Sequence, residues 1–170
     1  MAVLSPTFNR GMRSLTASVE LESAPEEVFS LLCSVEKWPV WLSFLRTARR
    51  VEFGKPIELG SEVILRPGVP SAEREEEEQL YEVDQFISNH CLSLVGAYSA
   101  RRRVDFRVER KTARSKLHVR VTYPSYHGRL VSFFEWWRRG RKLFAQLDTA
   151  MTNFKGLVEY RRNDAVLADL

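Results

Sequence analysis

The chain has 170 residues, of which 44% are hydrophobic and 28% are charged, and its formal net charge is +4. This composition is typical of one globular domain and excludes a disordered, collagen-like or coiled-coil chain. A domain of this length buries about 70% of its unfolded surface, so a hydrophobic core is expected without disulfides or metals. No stretch approaches eighteen consecutive apolar residues, and Arg10 and Arg13 follow the short apolar start. We therefore expect a cytoplasmic protein without a membrane-spanning helix or a secretory signal.

The sequence pattern divides the chain into an arm, one domain and a tail. Residues 1–14 lack periodicity and predict a flexible N-terminal arm, residues 15–162 form the domain, and residues 163–170 form a C-terminal tail. The domain opens with apolar residues at every second position, which predicts a strand with one buried face. These residues are Leu15, Ala17, Val19 and Leu21.

Two short helices are predicted after this strand. Ser23 and Glu26, in the sequence SAPE, have the spacing of a capping box with Ser23 as the N-cap. Apolar residues then recur at helical spacing, and these are Val28, Leu31, Leu32 and Val35. Pro39 is predicted to end the first helix before a second helical piece at about residues 41–45.

Residues 46–123 predict antiparallel strands. Short apolar runs near residues 51–53 and 63–65 are separated by Gly54, Pro56 and Gly60, which favour hairpin turns. Further along, a turn at residues 112–113 places three apolar pairs on one face of the sheet. The pairs are Val108 with Leu117, Phe106 with Val119 and Val104 with Val121.

The preceding hairpins are predicted by the same alternation. Folding back at residues 99–100 places Leu94 opposite Phe106, and folding back at residues 87–88 places Val83 opposite Leu92. The predicted result is an antiparallel meander with one apolar face.

Charge is distributed unevenly along the chain. Residues 1–85 carry 9 Lys and Arg against 15 Asp and Glu, whereas residues 86–170 carry 17 against 7. The acidic run at residues 75–78 and the basic run at residues 101–103 are predicted at the same end of the sheet. The simplest expectation is that the two runs neutralise each other, and the alternative is that the arginines bind a phosphate.

A long amphipathic helix is predicted from about residue 128 to residue 160. Its apolar stripe weakens at Gly140 and Arg141, where a bend is expected. The stripe comprises Leu130, Phe134, Trp137, Phe144, Leu147, Met151, Phe154 and Val158. Since no second long helix is predicted, this helix must bury its apolar side on the sheet.

The order of these elements, with two sequence segments, resembles the START, polyketide cyclase and birch-pollen-allergen superfamily. SAPEEVFSLLCSVEKWPVW at residues 23–41 is similar to the opening strand-to-helix segment of the family. LDTAMTNFKGLVEYRR at residues 147–162 is similar to its closing helix, with Phe154 where the family usually has Leu, followed by Lys155 and Glu159. The likeness covers about residues 15–162.

The resemblance implies an α+β helix-grip fold, in which a curved antiparallel sheet wraps around a long C-terminal helix and two short helices follow the first strand. It also implies a hydrophobic cavity between sheet and helix that holds lipids, sterols, polyketides or other apolar small molecules. Large side chains must either fill that space or line it.

Common catalytic signatures are missing from the sequence, including GxSxG, HExxH, a Walker A loop, GxGxxG and paired CxxC. Cys33 and Cys91 are predicted to be reduced thiols that pack as small hydrophobic residues. His118 and His127 are predicted to face water, while His90 points inward by strand parity, most simply in a structural role. No metal site or cofactor is predicted.

Ten residues are predicted to contact a ligand. They are Tyr81, Leu94, Tyr98, Phe106, Val119, Trp137, Arg141, Phe144, Asp148 and Met151. Glu77 and Gln79 are further polar candidates on the same face, and the alternative for Arg141 and Asp148 is the outer side of the helix.

Three functions are compatible with the sequence. The favoured one is non-catalytic binding of an apolar small molecule or lipid, as in a carrier, transport or sensing protein. The alternative is a polyketide cyclase or dehydratase type of enzyme, with Tyr81, Tyr98 and Arg141 as proton or oxyanion partners. The third is a protein-interaction module whose interior is filled.

The segment SFFEWWRRGRK at residues 132–142 has paired aromatics followed by basic residues. This pattern is typical of a helix at a membrane surface and predicts transient membrane contact through Phe133, Trp136, Arg138 and Arg139. The alternative is that the aromatics cap the mouth of the cavity and the cations face water. No nucleic-acid partner is predicted, because no recognised reading motif is present.

Overall fold

The computed structural model describes residues 5–9, 12–68, 78–112, 114–124 and 144–161. The strands are β1 (Ser5–Asn9), β2 (Met12–Leu21), β3 (Leu45–Arg50), β4 (Glu62–Pro67), β5 (Gln79–Ile87), β6 (Cys91–Gly96), β7 (Ser99–Lys111) and β8 (Arg114–Pro124). The helices are α1 (Pro25–Cys33), a 3-10 turn (Val35–Lys37), α2 (Trp38–Trp41) and α3, of which residues 144–161 are described.

The described strands form one curved antiparallel sheet in the order β1-β2-β8-β7-β6-β5-β4-β3. The two short helices follow β2, and α3 packs against the concave face. This arrangement confirms the predicted α+β helix-grip fold. No helix among the described residues is long and apolar enough to cross a membrane.

The hairpin between β7 and β8 has the predicted register. Val108 pairs with Leu117, Phe106 with Val119 and Val104 with Val121. The turn contains Thr112 with φ +34°. All six apolar side chains therefore share the concave face.

The registers predicted for the two preceding hairpins are wrong by two residues. Leu94 pairs with Val83 on β5 and with Val104 on β7. The turn between β5 and β6 lies at residues 88–90, and β-bulges interrupt both ladders. In each hairpin the observed pairing differs from the predicted one by two residues. Because side chains alternate between faces with a period of two, each apolar set still faces the concave side.

Several boundaries in the first third of the chain also differ from the prediction. Residues 5–9 form β1 and residues 12–14 begin β2, within the stretch predicted as a flexible arm. Ala24, not Ser23, is the N-cap of α1, and it makes no side-chain capping bond. The connection between β3 and β4 turns at Gly54 and Gly60, both with φ +82°.

The second short helix and the strand after it lie earlier in the chain than predicted. Pro39 stands in the first turn of α2, where its missing N–H has no intrahelical partner, and does not separate two helices. β3 then begins at Leu45. The run at residues 51–53 lies beyond the end of that strand, and Phe53 is 89% exposed.

The described part of α3 has the predicted apolar stripe. Its fully buried or nearly buried residues are Leu147, Ala150, Met151, Phe154 and Val158. The predicted stretch from residue 128 to residue 143, with its bend, lies outside the described residues.

Candidate functional site

The concave face is buried to different depths along the strands. Inward-facing residues of β2, β8 and β7 form rows across the sheet. In one row, Ala17, Val119 and Phe106 are all fully buried. The next row lies nearer the N-terminal ends of β2 and β7 and the C-terminal end of β8. Its residues, Leu15, Val121 and Val104, are only partly buried. One end of the concave face is therefore closed, and the other is more open.

Aromatic side chains close the first end. The Trp41 ring lies 4.7 Å from the Phe154 ring of α3 and 6.1 Å from the Phe106 ring of β7, measured between centroids. Trp38 also packs on Phe106, at 5.2 Å. Its indole Nε1 donates to the Leu32 carbonyl at 2.8 Å, so this aromatic cluster is fixed to α1 as well.

Polar groups stand on the concave face towards the open end. Tyr81 of β5 is 8% exposed and faces inward, and its hydroxyl donates to Gln79 Oε1 at 3.2 Å. Burial raises the pKa of the Tyr81 phenol, and the positive charge of Arg102 opposes part of that rise. The phenol therefore stays protonated at neutral pH and can act as a hydrogen-bond donor.

Two depressions lie outside the concave face. One, of about 510 Å³, has Phe29, Ile57 and Phe86 on its apolar side and Cys33 at its rim. The other, of about 330 Å³, lies on the outer face of the sheet among charged side chains. These include Arg103, Asp105, Arg107, Glu109, His118 and Arg120.

The charged runs are paired differently from the prediction. Arg103 donates to Asp84 and to Asp105, each at 2.7 Å. Glu78, the last residue of the acidic run, pairs with Arg49 of β3 at 3.1 Å. The other three acidic residues of that run lie outside the described residues.

The family model described as "Polyketide cyclase / dehydrase and lipid transport" matches residues 12–159, which include every element from β2 to α3. The chain belongs to this family. No curated protein sequence matches it.

Solved structures share the fold at low sequence identity. The Zhui aromatase/cyclase from Streptomyces sp. R1128 has a TM-score of 0.68 at 15% identity, covering 88% of this chain and 95% of that one. The KanY protein has a TM-score of 0.68 at 18% identity, covering 88% and 99%. A protein from Thermus thermophilus has a TM-score of 0.68 at 10% identity, covering 87% and 98%. At these identities the likeness shows the fold alone.

Five of the ten residues predicted to contact a ligand come together on the inner surfaces of this family fold. They are Tyr81, Leu94, Phe106, Val119 and Met151. Leu94, Phe106, Val119 and Met151 are buried so deeply that they form core beneath the more open end. Tyr81 is the member of this group that carries a polar atom.

The other predicted contacts lie elsewhere. Tyr98 is 90% exposed, because the chain folds back at residues 97–98 instead of at residues 99–100. Phe144 is 39% exposed, and Asp148 is exposed on α3, as in the alternative that placed it on the outer side. Trp137, Arg141 and Glu77 lie outside the described residues.

Arg102 is a partly buried cation whose charge lowers the pKa of the Tyr81 phenol against the larger effect of burial, and sequence reasoning did not single it out. It lies on β7 between Ser99, which pairs with Gly96, and Arg103, which pairs with Val95, where the register with β6 shifts. In the sequence, residues 101–103 form one basic run. The irregular pairing between Ser99 and Arg103 leaves no signal in the hydrophobic pattern that distinguishes Arg102 from its neighbours.

Histidine and cysteine side chains do not form a catalytic cluster among the described residues. His90 is exposed rather than inward, with Nδ1 at 3.1 Å from the Val108 carbonyl oxygen, and His118 lies 3.2 Å from Glu109 on the outer face. Both cysteines are free thiols. No three His, Cys, Asp or Glu side chains in the described ranges are grouped as a metal site would require.

Proposed function

We propose that this chain binds a hydrophobic small molecule or lipid between the concave face of the sheet and α3, as a carrier, transport or sensing protein. The observation that carries the proposal is the partial burial of Leu15, Val121 and Val104 next to fully buried rows. An apolar ligand that covers this row removes its surface from water, which yields about 25 cal/mol per Å² of apolar area. The family description, which names lipid transport, supports the same class of ligand.

The space at this row can be tested by filling it. Val104→Trp introduces a large side chain beside the partly buried row, whereas Arg107→Trp adds the same side chain to the exposed outer face of the same strand. Binding is measured with N-phenyl-1-naphthylamine, an apolar dye that becomes fluorescent when it leaves water. We expect Val104→Trp to weaken dye binding about tenfold or more, and Arg107→Trp to leave it unchanged.

Native mass spectrometry of the purified protein provides a second readout. Retention of an apolar compound by the wild type, and its loss in Val104→Trp, supports the proposal. A wild-type protein that binds neither the dye nor any extracted lipid contradicts it.

A cyclase or dehydratase activity is the second candidate, and the Tyr81 phenol is the observation that favours it. A buried, protonated phenol can turn its single O–H from Gln79 Oε1 to a carbonyl oxygen of a substrate and stabilise the negative charge that develops there during enolisation. The family description, which names polyketide cyclase and dehydrase, supports this reaction class. Of the other two residues predicted for this role, Tyr98 is exposed and Arg141 is not described.

The Tyr81→Phe variant distinguishes binding from catalysis. With a poly-β-ketone thioester as substrate, an enzyme converts the compound into a cyclised, dehydrated product, and Tyr81→Phe should lose this activity while keeping affinity for the dye. If the wild type binds the thioester and releases it unchanged, the binding function is supported and the catalytic one is contradicted.

The remaining parts of the proposal concern the protein in its cell. A cytoplasmic location remains an expectation. The proposed membrane contact through residues 133–139 would let the protein take its ligand from a bilayer, and it can be measured by sedimentation with anionic vesicles.

A further inference from the structure

We propose that this chain has a second binding site, on the outer face of the sheet, where Arg107 and Arg120 bind the phosphate group of a phosphate monoester. The site is the depression of about 330 Å³ on that face, and both arginines line it. It lies on the opposite side of the sheet from the proposed apolar ligand and does not depend on that ligand.

The register of the β7–β8 ladder places the two arginines side by side. This ladder has no register shift, and its paired residues Phe106 and Val119 are buried on the concave side. Arg107 and Arg120, which follow them, therefore face the outer side. Because Arg107 pairs with His118, it is the diagonal neighbour of Arg120. Diagonal neighbours on antiparallel strands lie about 7–8 Å apart, so two long guanidinium side chains can contact one ligand.

These two arginines differ from the third arginine of the depression in their partners. Arg103 donates to Asp84 and to Asp105, each at 2.7 Å. Within the described ranges, Arg107 and Arg120 form neither an ion pair nor a side-chain hydrogen bond. Like charges on neighbouring strands repel each other, and an anion that bridges the two guanidinium groups would remove this repulsion.

Carboxylates lie in and beside the same depression. Asp105 pairs with Arg120 across the ladder, and Glu109 Oε2 lies 3.2 Å from His118 Nε2. With Asp84, three carboxylates stand against three arginines, so net charge alone does not select an anion. The selection comes from the unpaired guanidinium donors. Glu109 is expected to weaken the binding of an anion by repulsion.

The donors of the depression suit a phosphate group. A guanidinium is a planar fork that binds two oxygens at once, so two guanidinium groups are best matched by an anion with three oxygens. Thr16 of β2 pairs with Arg120, is partly buried and adds a hydroxyl to the lining. The volume of about 330 Å³ lies at the lower end of small-molecule sites and leaves room for the organic part of a monoester.

Phenyl phosphate is the probe, and benzyl alcohol is its uncharged counterpart. At pH 8 the phosphate is a dianion, and calorimetry is expected to give a Kd of about 1 mM or below, with no measurable binding of the alcohol. Nuclear magnetic resonance locates the site in the same sample. The ring signals of His118, which lines the depression, should shift, and those of His90 should not.

Single substitutions change the charge of the site in both directions. Arg107→Gln and Arg120→Gln should each weaken phenyl phosphate binding about tenfold, as expected for charge-assisted hydrogen bonds. Glu109→Gln should tighten it roughly twofold to fivefold, because it removes a repelling charge. Arg46→Gln is the matched control, because Arg46 is an exposed arginine of β3, which three strands separate from β7. It should leave the affinity unchanged. Thermal unfolding of each variant verifies that it folds.

The phosphate group can belong to a soluble molecule or to a lipid head group, and vesicles distinguish the two sources. Sedimentation compares vesicles of phosphatidylcholine with mixed vesicles of phosphatidylcholine and phosphatidic acid. Binding to the mixed vesicles that Arg107→Gln and Arg120→Gln both reduce assigns the site to a lipid. Binding of phenyl phosphate without such vesicle binding assigns it to a soluble monoester.

Three results would overturn the phosphate site. The first is a wild type that does not bind phenyl phosphate, with any vesicle binding unchanged in both arginine variants. The second is an affinity that Arg46→Gln lowers as much as Arg107→Gln does, and the third is Glu109→Gln failing to tighten binding. Dye binding tests the proposed function separately. Dye binding without phosphate binding overturns the phosphate site alone, and phosphate binding without dye binding contradicts the proposed function alone.

Discussion

Arg102 and Arg103 are neighbours in the sequence and have opposite environments in the fold. Arg103 faces outward and is neutralised by Asp84 and Asp105, while Arg102 is partly buried and its charge lowers the pKa of the Tyr81 phenol against the larger effect of burial. The sequence shows a run of three arginines, and composition alone suggests one shared role for them. The structure separates them, because Arg103 pairs with Val95 in the β6–β7 ladder whereas Arg102 lies where the register of that ladder shifts.

Cys33 gives a prediction at the same scale. Burial raises the pKa of its thiol from 9.0 to about 11, against a smaller opposing effect of the Arg50 charge. Because the thiolate is the reactive form, alkylation of native Cys33 by iodoacetamide at pH 8 should be about a hundredfold slower than alkylation of the urea-unfolded chain. Mass spectrometry of the labelled peptides measures this rate, with Cys91 resolved in the same sample. Equal rates in the native and unfolded chains would contradict the prediction.

At the scale of elements, the sequence predicted which residues share a face of the sheet. It was less successful in predicting which residues pair across neighbouring strands. The β7–β8 hairpin was predicted correctly because its tight turn and uninterrupted alternation leave one register. The β5–β6 and β6–β7 registers were missed, because a β-bulge adds a residue to one strand without changing the hydrophobic pattern around it. Tyr98 was predicted on a strand but lies in the turn at residues 97–98, two residues before the predicted turn, whereas Tyr81 lies on the predicted face.

The 3-10 turn is attached to the sheet by one ion pair. Arg50 of β3 donates from Nε and from one terminal nitrogen to the two carboxylate oxygens of Glu36, at 2.8 and 3.0 Å. It also donates to the Lys55 carbonyl oxygen. Both charged side chains are partly buried, and the pair positions the segment that leads into α2.

We expect this pair to make stability depend on pH in acid. Burial is the largest single influence and raises the pKa of Glu36, but the hydrogen bonds it accepts and the charge of Arg50 together outweigh burial and lower that pKa. A carboxyl whose pKa is lowered by folding stabilises the fold above its unfolded pKa of about 4.3, and this contribution is lost as the pH falls through the folded value.

Glu36→Gln should therefore cost about 1 kcal/mol of unfolding free energy at pH 7 and should lose less stability than the wild type between pH 5 and pH 3. Urea unfolding at several pH values measures both quantities. Glu27→Gln is the control, because Glu27 is an exposed carboxylate of α1 without an ion pair in the described structure. If both variants follow the same pH profile, the pair does not stabilise the fold in this way.

At the scale of the whole molecule, the two ends of the concave face differ: one is packed as core, and the other is only partly buried. Trp41, Phe106 and Phe154 join α2, the sheet and α3 into one packed core. Beyond them, the partly buried row has no such aromatic filling among the described residues. Hydrophobic periodicity identifies inward-facing residues in both regions alike, because it reports which side a residue faces and not what covers it. The sequence therefore predicted the fold and the apolar face, but it could not separate core residues from residues at the open end.

Val119 and Val121 allow that division to be tested with the same substitution on one strand. Val119 is 1% exposed at the closed end, and Val121 is partly buried at the open end. Val119→Ala should lower the unfolding free energy by about 2 kcal/mol, because the cavity it leaves is enclosed, whereas Val121→Ala should lower it by less than about 1 kcal/mol. Binding of the apolar dye should change in the opposite order, since the dye contacts the open row. Urea unfolding and dye titration of both variants measure the two effects. Equal losses of stability, or a larger loss of dye affinity in Val119→Ala, would mean that the two ends of the concave face are not distinct.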